Sequence, residues 1–449
     1  MRNIEPILLG KTNYLEYDLR DILALSIAEP GAMGDPGSIL IVSSQGDFFY
    51  VDITYDQLSS VCPIVKDVKL DMFGKDESPI GWIPIYLGCG NHLFIKDTIY
   101  EQFQLGQKKK FKENQDILLY NIWLDIVLDC IDGKFNVIND KLKGVIFGQA
   151  IGDALGLCTE FMNKAEIDKL YPHGVKFFTD MYHDAHRKRW LAGEWTDDTD
   201  MMLCIANAII ADKGVNLSHI ARNFKEWACD NPRGIGVSTF KVLSIGDYVE
   251  KPFEVSKLIW KMNRKQSAAN GGLMRTSIVG ILPCDIEKHA ADICRLTHYD
   301  PRCVGSCVIV SELIHSLVYK SFPLSFEQII DLGNKYDERI KKYIQMAKDG
   351  TIESLDLTNE QSMGYTLKTL SVALWAYWHC STFEEGLQTV VNAGGDSDTN
   401  SAVACAILGA KFGFSSIPDV HINGLLYKDK LDDIIDRMIK FTSIGIIEH

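Results

Sequence analysis

The sequence has no CxxC pair among its twelve cysteines, and the nearest two, Cys303 and Cys307, have no second Cys or His pair at ligand spacing. A structural zinc site is therefore not expected, and the cysteines read as reduced thiols, mostly in the core. A chain of 449 residues can bury a core without disulfide staples. Positive charge is also scarce: 46 Lys and Arg stand against 60 Asp and Glu, a net charge of −14. That balance disfavours sequence-independent nucleic-acid binding and attachment to an anionic membrane. No run of about 18 uncharged apolar residues stands out, so no transmembrane helix is expected. The opening MRNIEPILLGKTNYLEYD lacks the basic segment, apolar run and cleavage site of a secretory signal. The expectation is a cytoplasmic protein with neither nucleic acid nor membrane as partner. Fixed-period repeats and low-complexity tracts are missing too.

What is present is ordinary for a globular protein: 46% hydrophobic and 24% charged residues. At roughly 150 residues per domain, the length suggests two or three domains, or one large domain with an appendage. The sequence changes character near residue 135. Before it, ILIVSS (39–44) and FFYVDI (48–53) flank a Gln45-Gly46-Asp47 turn, and IGWIPIYLG (80–88) and HLFIKD (92–97) flank another. Both pairs read as hairpins. DILLYNIWLDIVLDCI (116–131) has helical spacing, and KKKFK at 108–112 reads as a solvated loop. From about residue 138 apolar residues recur three and four apart in segment after segment, with short polar loops between. The expected fold class is mainly α: a compact all-α domain over 138–449 with a small α+β N-terminal domain over 1–135.

Two acidic clusters stand at the mouths of apolar helices. One is Trp195-Thr196-Asp197-Asp198-Thr199-Asp200. The other is Asn392-Ala393-Gly394-Gly395-Asp396-Ser397-Asp398-Thr399. Either alone would be read first as a helix cap. Brought together, the carboxylates would repel one another unless a divalent cation lay between them. Hard oxygen donors without clustered His or Cys point to Mg²⁺, with Mn²⁺ as a substitute, over Zn²⁺. Asp200 reads equally as a supporting partner of the metals or as a helix-end charge. GQAIGDALGLCTEF (148–161) places Asp153 and Glu160 around a Gly-rich helix. NPRGIGVST (231–239) is a Gly-rich loop that suits either a phosphate cradle or a plain turn. NGGLMRT (270–276) and LTHYDP (296–301) add Arg275 and His298, which in isolation are more often a structural ion pair and a satisfied core or cap histidine.

In this order, these segments together with SMGYTLKTLSVALWAY and NAGGDSDTNSAVACAILGAKFG resemble the ADP-ribosylglycohydrolase (DraG-like) family over roughly residues 138–420. The pairing of WTDDT with GGDSDT is its specific part. The resemblance implies an all-α domain with a two-magnesium site, and hydrolysis of the bond between the terminal ribose of ADP-ribose and an acceptor side chain. It implies Thr196, Asp197, Asp198, Asp396, Asp398 and Thr399 as metal ligands. Glu160, Asp197, Asp198 and Asp396 become the catalytic set. Gly234, Gly236 and Ser238 would hold ribose and phosphates. Asn270, Gly271, Met274, Arg275 and Gly395 would line the ADP-ribose cleft, and His298 and Tyr365 would lie near the nucleotide. Some relatives carry an acid in the ribose loop, whereas residues 231–239 contain none.

The partner implied is an ADP-ribosylated protein, with arginine the commonest linkage in the group. Residues 1–135 fall outside the resemblance. Some DraG-like hydrolases are immunity proteins that use an added N-terminal segment to plug an ADP-ribosyltransferase toxin. That role, recognition of one modified protein, and a structural or regulatory function are the readings for this part. A non-catalytic protein that occludes a toxin is the alternative to an enzyme, and a phosphohydrolase acting on another nucleotide is a weaker third.

Overall fold

The computed structural model describes the backbone of six strands between residues 7 and 96, and residues 119–447 apart from 284 and 321, with side chains for Ile95 and from 137 to 442. The chain divides into two compact units, residues 1–137 with 446–449, and residues 138–445.

The first unit carries β1 (Ile7–Leu8), β2 (Ile22–Ala28), β3 (Ser38–Ser43), β4 (Phe48–Asp52), β5 (Trp82–Gly88) and β6 (Asn91–Lys96). They form one sheet in the order β1-β4-β3-β2-β6-β5. β3 with β4 and β5 with β6 are antiparallel, so both expected hairpins are present. β2 joins the two hairpins by pairing antiparallel to β3 and β6. Sequence reasoning passed over it because ILALSIA is rich in Leu and Ala, which favour helices, so its pairing neighbours decide its conformation. The basic run at 108–112 lies outside the described residues.

The described part of the second unit is helical. The elements that frame its cleft are the part of α1 (Leu119–Gly156) from residue 138 onward, α2 (Asp197–Asp212), α3 (Val237–Leu243), α4 (Pro301–Tyr319), α5 (Thr366–His379) and α6 (Ser397–Phe412). α4 is by length and composition apolar enough to cross a membrane, although Arg302 and Glu312 interrupt its apolar run. Its apolar residues are buried among the other helices, which makes it a core helix. The stretch 326–349 forms two helices, Phe326–Asn334 and Arg339–Asp349.

One packing contact governs the site. Gly144, Gly148, Gly152 and Gly156 recur every four residues on α1, and so lie along one side of it. A Cβ at each would come within 2.2–2.4 Å of a backbone oxygen of α6, belonging in turn to Gly409, Cys405, Ser401 and Ser397. The two backbones therefore pack with no side chain between them. The C-terminal end of α1, which leads to Glu160, is thereby fixed against the N-terminal end of α6, which carries Asp398.

Candidate active site

The site forms where these helix ends meet. Asp153 is fully buried on α1 and accepts from the Thr196 N–H (3.0 Å), the Thr199 N–H (3.0 Å) and the Thr199 hydroxyl (2.7 Å). A carboxylate from another helix thus satisfies the free amides at the start of α2. Gln149, one turn earlier, donates to the carbonyls of Asp198 (3.2 Å) and Met274 (3.0 Å). α1 therefore organises the first acidic cluster, although neither residue lines the cleft.

The second cluster is reached through a tight turn. Gly394 and Gly395 both have φ of +74°, and a Cβ would lie 2.5 Å from the Met162 carbonyl oxygen or 2.3 Å from that of Leu357. Phe161 N–H donates to the Gly395 carbonyl (2.6 Å), and Gly395 N–H to that of Met162 (2.9 Å). The loop after α1 is thus bonded to the loop before α6. Oxygens of Glu160, Asp396 and Asp398 lie within 4.8 Å of one another.

The resulting cleft encloses about 630 Å³. Glu160 and all six residues proposed as ligands, Thr196, Asp197, Asp198, Asp396, Asp398 and Thr399, line it. So do Gly234, Gly236, Ser238, Asn270, Gly271, Met274 and His298. Burial raises the pKa of Asp197 to about 7 and of Asp396 to about 6, with repulsion from neighbouring carboxylates adding to it. Asp198 and Asp398 are pushed up by the same causes. Thr196 donates to Asp198 Oδ2 (3.1 Å), while Asp198 Oδ1 is buried with no hydrogen-bond partner among the described residues. Asn270 donates to Asp396 Oδ2 (2.6 Å) and to the Thr369 hydroxyl (2.9 Å). Crowded carboxylates with an orphaned buried oxygen fit a hard divalent cation, and the all-oxygen donor set suits Mg²⁺ or Mn²⁺.

Three expected residues lie elsewhere. Arg275 is fully buried outside the cleft lining, with its guanidinium 4.2 Å from the Phe224 ring centroid and Nη2 donating to Thr297 Oγ1 (2.6 Å). It lies too deep to touch a ligand directly. Tyr365 is also outside the lining, its hydroxyl taken by Arg302 (3.3 Å), while Met363 and Gly364 occupy that part of the wall. Gly395 shapes the turn and does not line the cleft. Asp200 accepts from the indoles of Trp195 (2.9 Å) and Trp227 (3.3 Å), so it is a half-buried clamp on two aromatics.

Arg275 acts on the cleft through its neighbour. Thr297 Oγ1 accepts from Arg275 and lies 2.8 Å from His298 Nδ1. Arg275 occupies one of the two lone pairs of the hydroxyl, whose own proton is free to go to Nδ1; in that arrangement the imidazole proton sits on Nε2. Burial and the Arg275 charge lower the His298 pKa to about 3, so the ring is neutral. Among the described residues, His298 Nε2 has no hydrogen-bond partner. The relay therefore sets a neutral N–H donor at the cleft wall.

Sequence reasoning missed the opposite wall. His186 Nε2 meets Glu160 Oε2 at 2.6 Å, and Arg189 Nη2 meets His186 Nδ1 at 2.5 Å. Arg has only donors, so His186 accepts at Nδ1 and donates from Nε2 to Glu160. His186, Arg189, Trp190 and Arg233 all line the cleft. The first three sit in a loop without apolar periodicity, so no pattern could have marked them. Arg233 pairs with Glu194.

Buried and half-buried carboxylates from two helix N-termini, converging in one cleft of an all-α domain, define the class: an enzyme whose cleft has the donors that could hold a cation. Residues 136–444 match the family model described as ADP-ribosylglycohydrolase. The chain belongs to that family and is an ADP-ribosylglycohydrolase. It is similar to the ADP-ribosylarginine hydrolase Tri1 of Serratia proteamaculans, 25% identical over 67% of this chain and 79% of that one. It is similar also to the ADP-ribosyl-[dinitrogen reductase] glycohydrolase of Rhodospirillum rubrum, 27% identical over 68% of this chain and 94% of that one. A solved structure of an ADP-ribosylglycohydrolase-related protein complex shares the fold. Its TM-score is 0.54 and its identity 23%, over 68% of this chain and 99% of that one.

Proposed function

We propose that this protein removes ADP-ribose from arginine side chains of modified proteins, with two Mg²⁺ ions held by Thr196, Asp197, Asp198, Asp396, Asp398 and Thr399. The observation that carries the reading is the convergence of both acidic clusters and Glu160 in one cleft. The arginine linkage draws on the relative from Serratia, named an ADP-ribosylarginine hydrolase. When bound, the ions would supply Lewis-acid polarisation of the sugar and water oxygens they hold. The chain's own groups do the rest. His298 Nε2–H and the backbone of the 234–238 loop supply donors for a nucleotide that carries a pyrophosphate. Asn270 holds Asp396, and His186 holds Glu160, each in one rotamer beside the scissile bond. Their negative charge suits a transition state with positive charge at the anomeric carbon.

The experiment is release of free ADP-ribose from arginine-ADP-ribosylated protein, with Mg²⁺ and with EDTA, read by mass spectrometry. Metal-dependent release is expected, and it should be lost in the Asp396→Ala, Asp398→Ala double variant while the fold persists. Activity retained in that variant would overturn the assignment; release of phosphate instead would point to a phosphohydrolase.

The family model begins at residue 136, so residues 1–135 add something the family does not require. Our reading is that they engage an ADP-ribosyltransferase toxin in the cytoplasm, making the protein an immunity factor. The inactive double variant should then still protect cells that express the toxin. Loss of protection with loss of hydrolysis would remove occlusion from the account.

A further inference from the structure

We propose that Phe161 forms the acceptor subsite of the cleft, its ring being the surface on which the guanidinium of the modified arginine stacks beside Glu160. This rests on the arginine-hydrolase reading and adds the residue that selects the acceptor.

The first observation is conformational. Phe161 has φ of +61°, a left-handed conformation that is an outlier for a bulky aromatic residue. Such strain persists only where surrounding bonds impose it, and it gathers at functional sites. Here the hydrogen bonds of Phe161 and Met162 to Gly395 impose it. A glycine would meet the same backbone demand without strain. The side chain therefore has to be explained by what it does.

The second observation is location. Phe161 lines the cleft, follows Glu160 directly in sequence, and is 55% exposed, while Glu160 itself is buried. Its ring meets that of His186 at 5.3 Å between centroids, and His186 meets Trp190 at 5.4 Å. The cationic end of this aromatic row is already taken, because Arg189 and Arg233 lie over Trp190. Phe161 is the end left open.

The third is chemical. Guanidinium is planar, delocalised and weakly hydrated, and it stacks on aromatic faces. At Phe161 it would find such a face with a carboxylate beside it. A serine acceptor has neither charge nor planar face and would gain little from this wall. The polar wall at Asn270 and His298 is left for the nucleotide.

The test uses the full chain as wild type, Phe161→Ala, Phe161→Gly and Phe161→Tyr, with Mg²⁺. Three quantities are read: kcat and KM on an ADP-ribosylarginine peptide, affinity for free ADP-ribose by calorimetry, and Tm. A lost cation–π contact should lower kcat/KM roughly three- to thirtyfold in the Ala and Gly variants. Affinity for free ADP-ribose, which lacks the acceptor, should not change. Phe161→Tyr keeps a ring and should keep its activity. Phe161→Gly should hold or raise Tm as its kcat/KM falls, a pairing that a merely structural role would not produce. Unchanged kcat/KM in Phe161→Ala, or an equal loss of ADP-ribose affinity, overturns the subsite while leaving the hydrolase reading intact. A wild type that binds ADP-ribose but releases none from arginine overturns both.

Discussion

Replacing Gly152 by Ala tests whether helix contact sets the geometry of the site. The new Cβ would sit 2.2 Å from the Ser401 carbonyl oxygen, 2.6 Å from its carbon and 3.0 Å from Ala402 N. All three are backbone atoms of α6, so no side chain can swing aside. Ordinary contact begins near 3.4 Å, and α1 and α6 must part by roughly 1 Å to restore it. Overpacking of this kind costs up to about 3 kcal/mol. Alanine in place of glycine offsets about 1 kcal/mol of that through helix propensity. The net loss of about 2 kcal/mol should lower Tm by several degrees. The functional effect should be larger. The same shift separates Glu160 and Asp198 from Asp396 and Asp398, and a displacement of about 1 Å can cost about a hundredfold in rate. Thermal unfolding and ADP-ribose release are measured side by side. Gly214→Ala is the control, since a Cβ there meets nothing within 4 Å. If Gly152→Ala matches that control in both Tm and turnover, the close packing does not set the site.

Two further outcomes are expected. Thr297→Val removes the hydroxyl between Arg275 and His298, so nitrogen chemical shifts of His298 should show loss of the single Nε2–H tautomer. ADP-ribose affinity should fall by about tenfold, as for one lost hydrogen bond; an unchanged tautomer would refute the relay. The second concerns pH. Asp153 and Asp197 have folded pKa values of about 7, and Asp396 about 6, against the ordinary aspartate value of 3.8, with burial the leading cause. Between about pH 4 and 7 the unfolded chain has released these protons while the folded chain retains them. The metal-free protein therefore loses this stability as pH rises through that window. Cation binding needs the ionised carboxylates, so the Tm gain from Mg²⁺ over EDTA should be larger at pH 8 than at pH 5.5; an equal or smaller gain at pH 8 would count against the site.

How much could be read without coordinates differs by region. The two hairpins had turn residues between apolar runs, whereas β2 had only a sheet to define it. The change of sequence character near residue 135 falls inside a helix, α1, because composition and element boundaries need not coincide. Glu160 and both acidic clusters were legible because their Asp, Thr and Gly residues interrupt apolar helices. The glycines of α1 were visible as letters, but their spacing alone did not say which helix they would meet.

The sequence by itself determined a helical region from about residue 138, two acidic clusters that would repel one another if brought together unpaired, and a polar Gly-rich loop. Those are local matters of periodicity, capping and charge. Only the tertiary structure decided which residues share a wall. Arg275 and Tyr365 belong to cleft segments by position yet are held away from the lining, one buried in the core and the other engaged by Arg302. His186 and Trp190 carry no periodic signal, yet they join Phe161 in a row beside Glu160. The physical reason is that side-chain direction follows from packing between elements distant in sequence. Here that packing is the close approach of α1 to α6, together with the strained turn that seats Phe161.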